Sequence, residues 1–293
     1  MKIAIYGQAY LEENKPYLIE LFEVLKRHDI QYVLEASFYD GMTKSLQGYE
    51  CETFTSYKDL NSSFDFMVTV GGDGTILRAV TFVRDSGIPI VGINTGRLGF
   101  LATVQKEEIT SAIKLLVADD YIIKRRSLLQ VTTEPFIESL SSLNFALNEV
   151  SVSRKNTASM ITIEISLDGE YLTSYWADGL IIATPTGSTG YSLSCGGPVI
   201  TPAAKSFGLT PIAPHNLNAR PLVIPDETKI KFQVSGREDE FFLSLDSRIT
   251  TINSNTIVNV EKTPFNLKMV QFKKQTFIKT LREKLLWGQD TRN

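Results

Sequence analysis

Residues 161–167 set Ile161, Ile163, Ile165 and Leu167 against Thr162, Glu164 and Ser166, an apolar–polar alternation with a period of two. That period belongs to a strand with one buried face. Asp168-Gly169, a hairpin turn pair, comes next, and "EYLTSYW" runs back. "KIKFQVSG", "EFFLSLDSR", "TIVNVEKT" and "FNLKMVQF" repeat the pattern between turn residues. An all-β domain, a β-sandwich, is therefore expected over residues 121–274.

The first third has a different rhythm. Lys2 to Tyr6 is a short apolar run ended by Gly7, and a helix is expected from near Pro16, with Leu18, Leu21, Phe22 and Leu25 on one stripe. Phe64 to Val70 and Ile90 to Ile93 read as strands separated by a helix from about Thr75 to Val83, and "KEEITSAIKLLVADD" as another helix. Strands alternating with helices imply a mostly parallel sheet covered by helices. The expectation is a Rossmann-like α/β domain over residues 1–120. Residues 275–293 complete it, because the helical stripe Phe277, Leu281, Leu285 finds no helix layer among the strands before it.

A chain of 293 residues suits two domains, and a formal net charge of −3 gives no sign of nucleic-acid binding. Cys51 and Cys195 form neither a disulfide framework nor a C-x-x-C pair. No apolar run approaches the ~18 residues of a membrane span, and "MKIAIYG" reads as a first strand rather than a signal peptide. A cytoplasmic protein is expected, with no membrane or nucleic-acid partner.

Chemistry concentrates in a few stretches. "FDFMVTVGGDGTILRAV" passes from a strand through Gly71, Gly72 and Gly74 into a helix start that Thr75 can cap. Such a turn lets a ligand approach the backbone, and the free N–H groups favour phosphate. Asp73 sits inside it, where a carboxylate about 4 Å from a phosphate charge would be repelled by roughly 4 kcal/mol at an effective dielectric near 20. No Gly-Lys pair occurs in the chain, so this is not a P-loop. Asp73 fits phosphoryl transfer to an alcohol, accepting the hydroxyl proton while Mg²⁺ neutralises the phosphates.

"TPTGSTGYSLSCGGP" at 184–198 offers hydroxyl and amide donors with no formal charge, suited to phosphates and riboses. "ALNEVSVSR" places Asn148 and Glu149 in a strand pattern, where neighbours point to opposite faces and the pair matches a vicinal diol. "GINTGRLGFLA" supplies a second glycine loop for the same sheet edge as Gly71 to Gly74, with Arg78 and Arg97 available for phosphate. His215 and Cys195 read as structural.

Together, "GGDGT", "GINTGRLGFL", "NE", "DGLIIATPTGSTGYSLSCGGP", "PHNLNARPLVIP" and "LDSR", in this order, resemble the NAD kinases across nearly the whole chain. The resemblance implies ATP-dependent phosphorylation of the adenosine ribose 2′-hydroxyl of NAD with a divalent metal, Mg²⁺ foremost, and leaves the metal ligands unassigned. It implies that Asp73 is the base, with Gly74 and Arg78 beside it, and that Asn148 and Glu149 hold ribose hydroxyls. Asp178, Thr189, Gly190, Tyr191, Ser192, Leu193 and Ser194 would bind the dinucleotide. Trp176 stands where relatives are often basic, and Arg248 where others have glutamine. It also implies a homo-oligomer, a dimer or tetramer. A lipid kinase sharing the "GGDG" turn and a non-catalytic dinucleotide sensor are the alternatives.

Overall fold

The structure is a computed structural model that describes residues 1–155, 159–273 and 275–287. The chain divides into two compact units, Met1–Arg125 together with the segment from Leu267 onward, and Arg126–Asn266.

The first unit is built on one sheet, with strands in the order Thr53–Phe54, Gln31–Glu35, Lys2–Gly7, Phe66–Val70, Ile90–Asn94, Leu267–Gln271 and Ile122–Arg126. Val104–Gln105 pairs with Ile90–Asn94 off this path. Lys2–Gly7 pairs in parallel with both Gln31–Glu35 and Phe66–Val70, so the strand order reverses between the first strand and Phe66–Val70. A ligand crevice forms at such a reversal, outside the carboxyl ends of the strands. Strand Phe66–Val70 is buried along its whole length, as a parallel strand covered on both faces must be. The core gathers Ile3, Ile5, Leu18, Leu21, Phe22, Leu25, Val68, Val91 and Ile113.

Helix Lys15–Arg27 carries the expected stripe, with Pro16 in its first turn. Helix Ala36–Thr43 was not foreseen; its start is marked by Glu35, whose side chain accepts from the Phe38 amide at 2.8 Å. The terminal helix Phe277–Leu285 belongs to this unit, as expected from its stripe. Phe277 lies 6.3 Å from the Phe100 ring, and Gln275 exchanges two hydrogen bonds with Thr103, each 2.9 Å. Residues 288–293 of the expected segment lie outside the described residues.

Two expectations need correction. The strand in "FNLKMVQF" is not part of the β domain; Leu267–Gln271 pairs in parallel with Ile90–Asn94, Met269 opposite Ile90. Ile122–Arg126 likewise joins the first sheet, at its edge. The seams therefore fall near 125 and 267 rather than at 120 and 274. A short β-rich segment next to a β domain does not reveal which sheet it joins.

The second unit is the expected sandwich. One six-stranded sheet runs Leu222–Pro225, Ser206–Ile212, Gly179–Ala183, Glu149–Arg154, Glu240–Leu245, Arg248–Asn253. The other runs Glu170–Ala177, Ile161–Leu167, Ile230–Ser235, Ile257–Lys262, Leu129–Glu134, Phe145–Ala146. Both contribute to one core, with Val150, Leu180 and Phe241 from the first facing Ile163, Phe232 and Val258 from the second. Asp168 and Gly169, both at positive φ, close the foreseen hairpin. Among the described residues no helix is long and apolar enough to cross a membrane.

Gly92 is tightly packed below the first unit's glycine turns. A Cβ there would lie 2.6 Å from Ile76 Cδ1 and 2.8 Å from Ala102 Cα. Because one of these atoms is backbone, Gly92→Ala is expected to lower unfolding stability by about 1–3 kcal/mol in urea titration. An unchanged midpoint would mean that this contact relaxes freely.

Candidate active site

Strand Phe66–Val70 ends at Gly71, whose φ of 149° favours glycine and where a Cβ would collide with the Thr75 hydroxyl. Gly72 is the N-cap of helix Asp73–Val83. Thr75 is not the cap: the helix begins two residues earlier than expected, and Thr75 is buried in its first turn with its amide on the Gly72 carbonyl at 3.0 Å. A Cβ at Gly72 or Gly74 would meet nothing within 4 Å. The chain's own packing does not need glycine at those two positions, so the bare backbone there leaves room for another molecule. Arg78 is exposed one turn further along the helix, close enough to Tyr6 to oppose the rise that burial imposes on its phenol.

The Asp73 carboxylate is held more closely than a free base would be. Oδ2 accepts from the Phe100 amide at 2.7 Å, and Oδ1 from Leu101 and Ala102 at 3.0 and 2.9 Å. A Cβ on Gly99 would collide with this carboxylate, so the second glycine loop wraps onto the first through Asp73. Asn94, fully buried, braces the same loop by donating to the Arg97 and Ala102 carbonyls and accepting from Gly96. Exposed Arg97 thus contributes its backbone here. Two carboxylate oxygens offer about four acceptor positions. Three are filled, and the remaining one lies on Oδ2.

In the second unit the chain passes from one sheet to the other between Phe145–Ala146 and Glu149–Arg154. The backbone of 147–149 would lose its ladder partners at this crossover. Asp246 replaces them: Leu147 donates to Oδ2 at 2.9 Å, and Asn148 and Glu149 to Oδ1 at 2.8 and 3.2 Å. Thr184 takes the Leu147 carbonyl with its hydroxyl and the Asn148 carbonyl with its amide, while the Asp246 amide takes that of Glu149. Asn148 and Glu149 do not point to opposite faces as a regular strand requires. Both side chains converge on Gly190, where a Cβ would lie 3.3 Å from Glu149 Oε2 and 3.5 Å from Asn148 Nδ2.

Asn148 Oδ1 and Glu149 Oε2 are buried without a hydrogen-bond partner. Unpartnered buried acceptors are costly, and side by side they describe a place for donors such as sugar hydroxyls. Burial first, and then the charge of Asp246, push the Glu149 carboxyl up to about 7, against the pull of the Tyr191 amide.

The loop after strand Gly179–Ala183 folds into tight turns rather than a flexible linker. Ser188 is buried, donating to the Pro185 and Ile200 carbonyls and accepting from the Ile200 amide. Thr189 donates to the Thr186 carbonyl at 3.2 Å, and buried Ser192 pairs with Thr210 at 2.9 Å. A Cβ at Gly187 would strike the Asn148 carbonyl, fixing the loop against the 147–149 turn. Tyr191 is exposed, Leu193 half-buried and Ser194 exposed. Burial raises the Tyr191 phenol, and Cys195, Asp178 and Glu149 raise it further, so these groups share one electrostatic neighbourhood.

Asp178 pairs with Arg154 at 3.2 Å. Trp176 is half exposed on an edge strand, its ring 4.5 Å from that of His215, and its backbone is held by Asn216 and His215. Arg248 donates to the Leu143 carbonyl at 2.8 Å and to that of Phe145, stacks over the Phe145 ring, and lies 3.9 Å from Asp246. Its guanidinium holds the segment leading into the crossover.

Residues 3–121 match the ATP-NAD kinase N-terminal domain and residues 147–272 the ATP-NAD kinase C-terminal domain. The chain belongs to the NAD kinase family. Curated NAD kinases of Flavobacterium psychrophilum and Flavobacterium johnsoniae are 56% and 54% identical, covering the whole of both chains, and one of Bacteroides fragilis is 38% identical over the same extent. The crystal structure of an Archaeoglobus fulgidus NAD kinase in complex with ATP is similar with a TM-score of 0.76 and 28% identity over 98% of this chain and 99% of that one. Yeast NADH kinase complexed with NADH shares the fold, with a TM-score of 0.90 at 22% identity over 100% of this chain and 89% of that one.

Within this NAD kinase frame, Asp246 and Arg154 are parts that reading the sequence missed. "LDSR" drew notice for its arginine, yet the aspartate two residues earlier, at a positive φ of 53°, is the one that organises the turn.

Glu149 makes stability depend on pH in a definite direction. Unfolded, it loses its proton near 4.5; folded, at about 7. The folded state keeps the extra proton between these values, so stability falls as pH rises through the window, by about 3 kcal/mol from this group. Glu149→Gln cannot ionise. Its stability relative to the parent, from urea midpoints, is expected to rise by about 3 kcal/mol between pH 4.5 and pH 8. A difference that stays constant with pH would mean that Glu149 is not desolvated.

Proposed function

We propose that this chain transfers the γ-phosphoryl group of ATP to the 2′-hydroxyl of the adenosine ribose of NAD, giving NADP. The observation that carries the residue assignment is the open acceptor position on Asp73 Oδ2, in a carboxylate already oriented by three amides at a glycine-rich helix start. The ribose O2′–phosphorus bond forms as the bond from phosphorus to the β,γ-bridging oxygen breaks, and the hydroxyl proton passes to Oδ2. Orientation rather than strong basicity is the asset here, since a positioned reacting pair gains far more than a diffusing one.

The bare backbones of Gly72 and Gly74 receive phosphate oxygens, with Arg78 available on the same helix. Asn148 and Glu149 take the ribose hydroxyls, which supply the donors that their buried oxygens lack. Asp178, fixed by Arg154, and Tyr191 bound the same neighbourhood, and the amides and hydroxyls of 189–194 serve the rest of the dinucleotide. Trp176 offers an exposed ring face where a charged contact is absent.

Among the described residues no three His, Cys, Asp or Glu side chains gather as a metal site. Mg²⁺ binds largely through substrate phosphates and water. When bound it neutralises charge on the transferring phosphoryl group. The two cysteines are free thiols, in keeping with a reducing cytoplasm. Tyr171 and Leu172 on one edge strand and Val223 on another are exposed apolar side chains beside unpaired strand edges, where a second copy could pair in a homo-oligomer.

Asp73→Asn is expected to cut kcat at least 100-fold in a coupled NADP-formation assay while calorimetry still detects NAD binding, and EDTA should abolish turnover of the parent. Near-normal kcat in the variant would remove Asp73 from the proton-transfer step. In light scattering the parent should give a dimer or tetramer mass, and Tyr171→Glu with Val223→Glu should reduce it; a monomeric parent would end the oligomer proposal.

A further inference from the structure

No substrate contact is assigned to Asp246 above, yet it satisfies every backbone amide of the turn that presents Asn148 and Glu149. Its side chain is 4% exposed, and Arg248 is its nearest cation at 3.9 Å. Side-chain amides or hydroxyls could not accept three such donors from one direction, whereas a carboxylate can. The arrangement leaves Asn148 Oδ1 and Glu149 Oε2 as the atoms without partners at the turn.

We propose that Asp246 is a positioning residue for dinucleotide recognition: by gathering the amides of residues 147–149 at the sheet crossover, it directs the Asn148 and Glu149 side chains onto the Gly190 surface, where they meet a ribose diol. This rests on the assignment of Asn148 and Glu149 as ribose ligands. Two effects follow from one carboxylate. Its oxygens set the direction of the turn, and its charge, close to Glu149, adds to burial in holding the Glu149 proton. The other groups around Glu149 are the Tyr191 amide and phenol, with Asp178 and Cys195 facing that phenol and Arg248 facing Asp246. Ribose hydroxyls bring hydrogens that need acceptors, and ionised Glu149 has more acceptor positions than its protonated form. NAD affinity therefore rises as pH increases through about 7.

The test uses the full chain with Asp246→Asn, Asp246→Glu and Glu149→Gln, measuring KM for NAD, KM for ATP, kcat and NAD binding by calorimetry from pH 5.5 to 8.5. For the parent, NAD affinity should climb several-fold across that range with a midpoint near 7. Asp246→Asn should raise KM for NAD at least 10-fold at pH 8, with a much smaller change in KM for ATP, and move the midpoint down. Asp246→Glu keeps the charge and displaces it, so KM for NAD should rise while the midpoint stays. A folded Asp246→Asn with parental KM and midpoint overturns the proposal, as does equal loss of affinity for both substrates with the midpoint unmoved. If neither Asp246 variant folds, a flat pH profile in the parent overturns it. Glu149→Gln separates the premises: parental NAD affinity there removes Glu149 as a ribose ligand, whereas weakened affinity there beside a normal Asp246→Asn refutes the positioning role alone.

Discussion

An aspartate side chain collecting three consecutive backbone amides is the interaction on which both halves of the machinery rest. Consecutive N–H groups in an irregular turn have no ladder to join, and leaving them unpaired away from water is costly. Asp73 gathers residues 100–102 across sequence separations of 27 to 29, and Asp246 gathers 147–149 across 97 to 99. In each unit the carboxylate converts a loop that could wander into one with a fixed course. Remove it and several donors lose their partner at once.

Both devices stand where regular structure stops. Asp73 follows the strand at which the parallel sheet reverses its order, and Asp246 serves the point where the chain changes sheets within the sandwich. Ladder hydrogen bonds end at such places, so side chains must complete the accounting, and atoms left over after it are the ones a ligand can use. Glu149 belongs to that remainder. Its buried, unpartnered oxygen is costly to the free protein, and the sugar hydroxyl we propose for it would relieve that cost, tying recognition to stability.

The two-part architecture was legible because hydrophobic period is local information: three-to-four spacing at Leu18, Leu21, Phe22 and Leu25, two-residue spacing at Ile161, Ile163 and Ile165. The glycine turns were legible for the same reason, since a glycine such as Gly71 declares an unusual backbone by itself. What stayed hidden depends on distant pairing. Nothing near Leu267–Gln271 says that its partner is Ile90–Asn94 rather than a sandwich strand. Nothing near Asp246 says that its amides lie about a hundred positions earlier. Thr75 looked like a cap because cap residues are recognised by type, but its hydroxyl is placed against Gly71 and the helix starts before it.

The first unit is interrupted: its chain leaves at Arg125 and resumes at Leu267, where it adds a strand beside Ile90–Asn94 and then reaches Thr103 through Gln275. During synthesis the ribosome emits every recognisable motif before that closing segment appears. A nascent or prematurely terminated polypeptide therefore carries the full chemical vocabulary while the loop beside Asp73 still lacks its final clasp. The contacts that complete the first unit form last, with the tail.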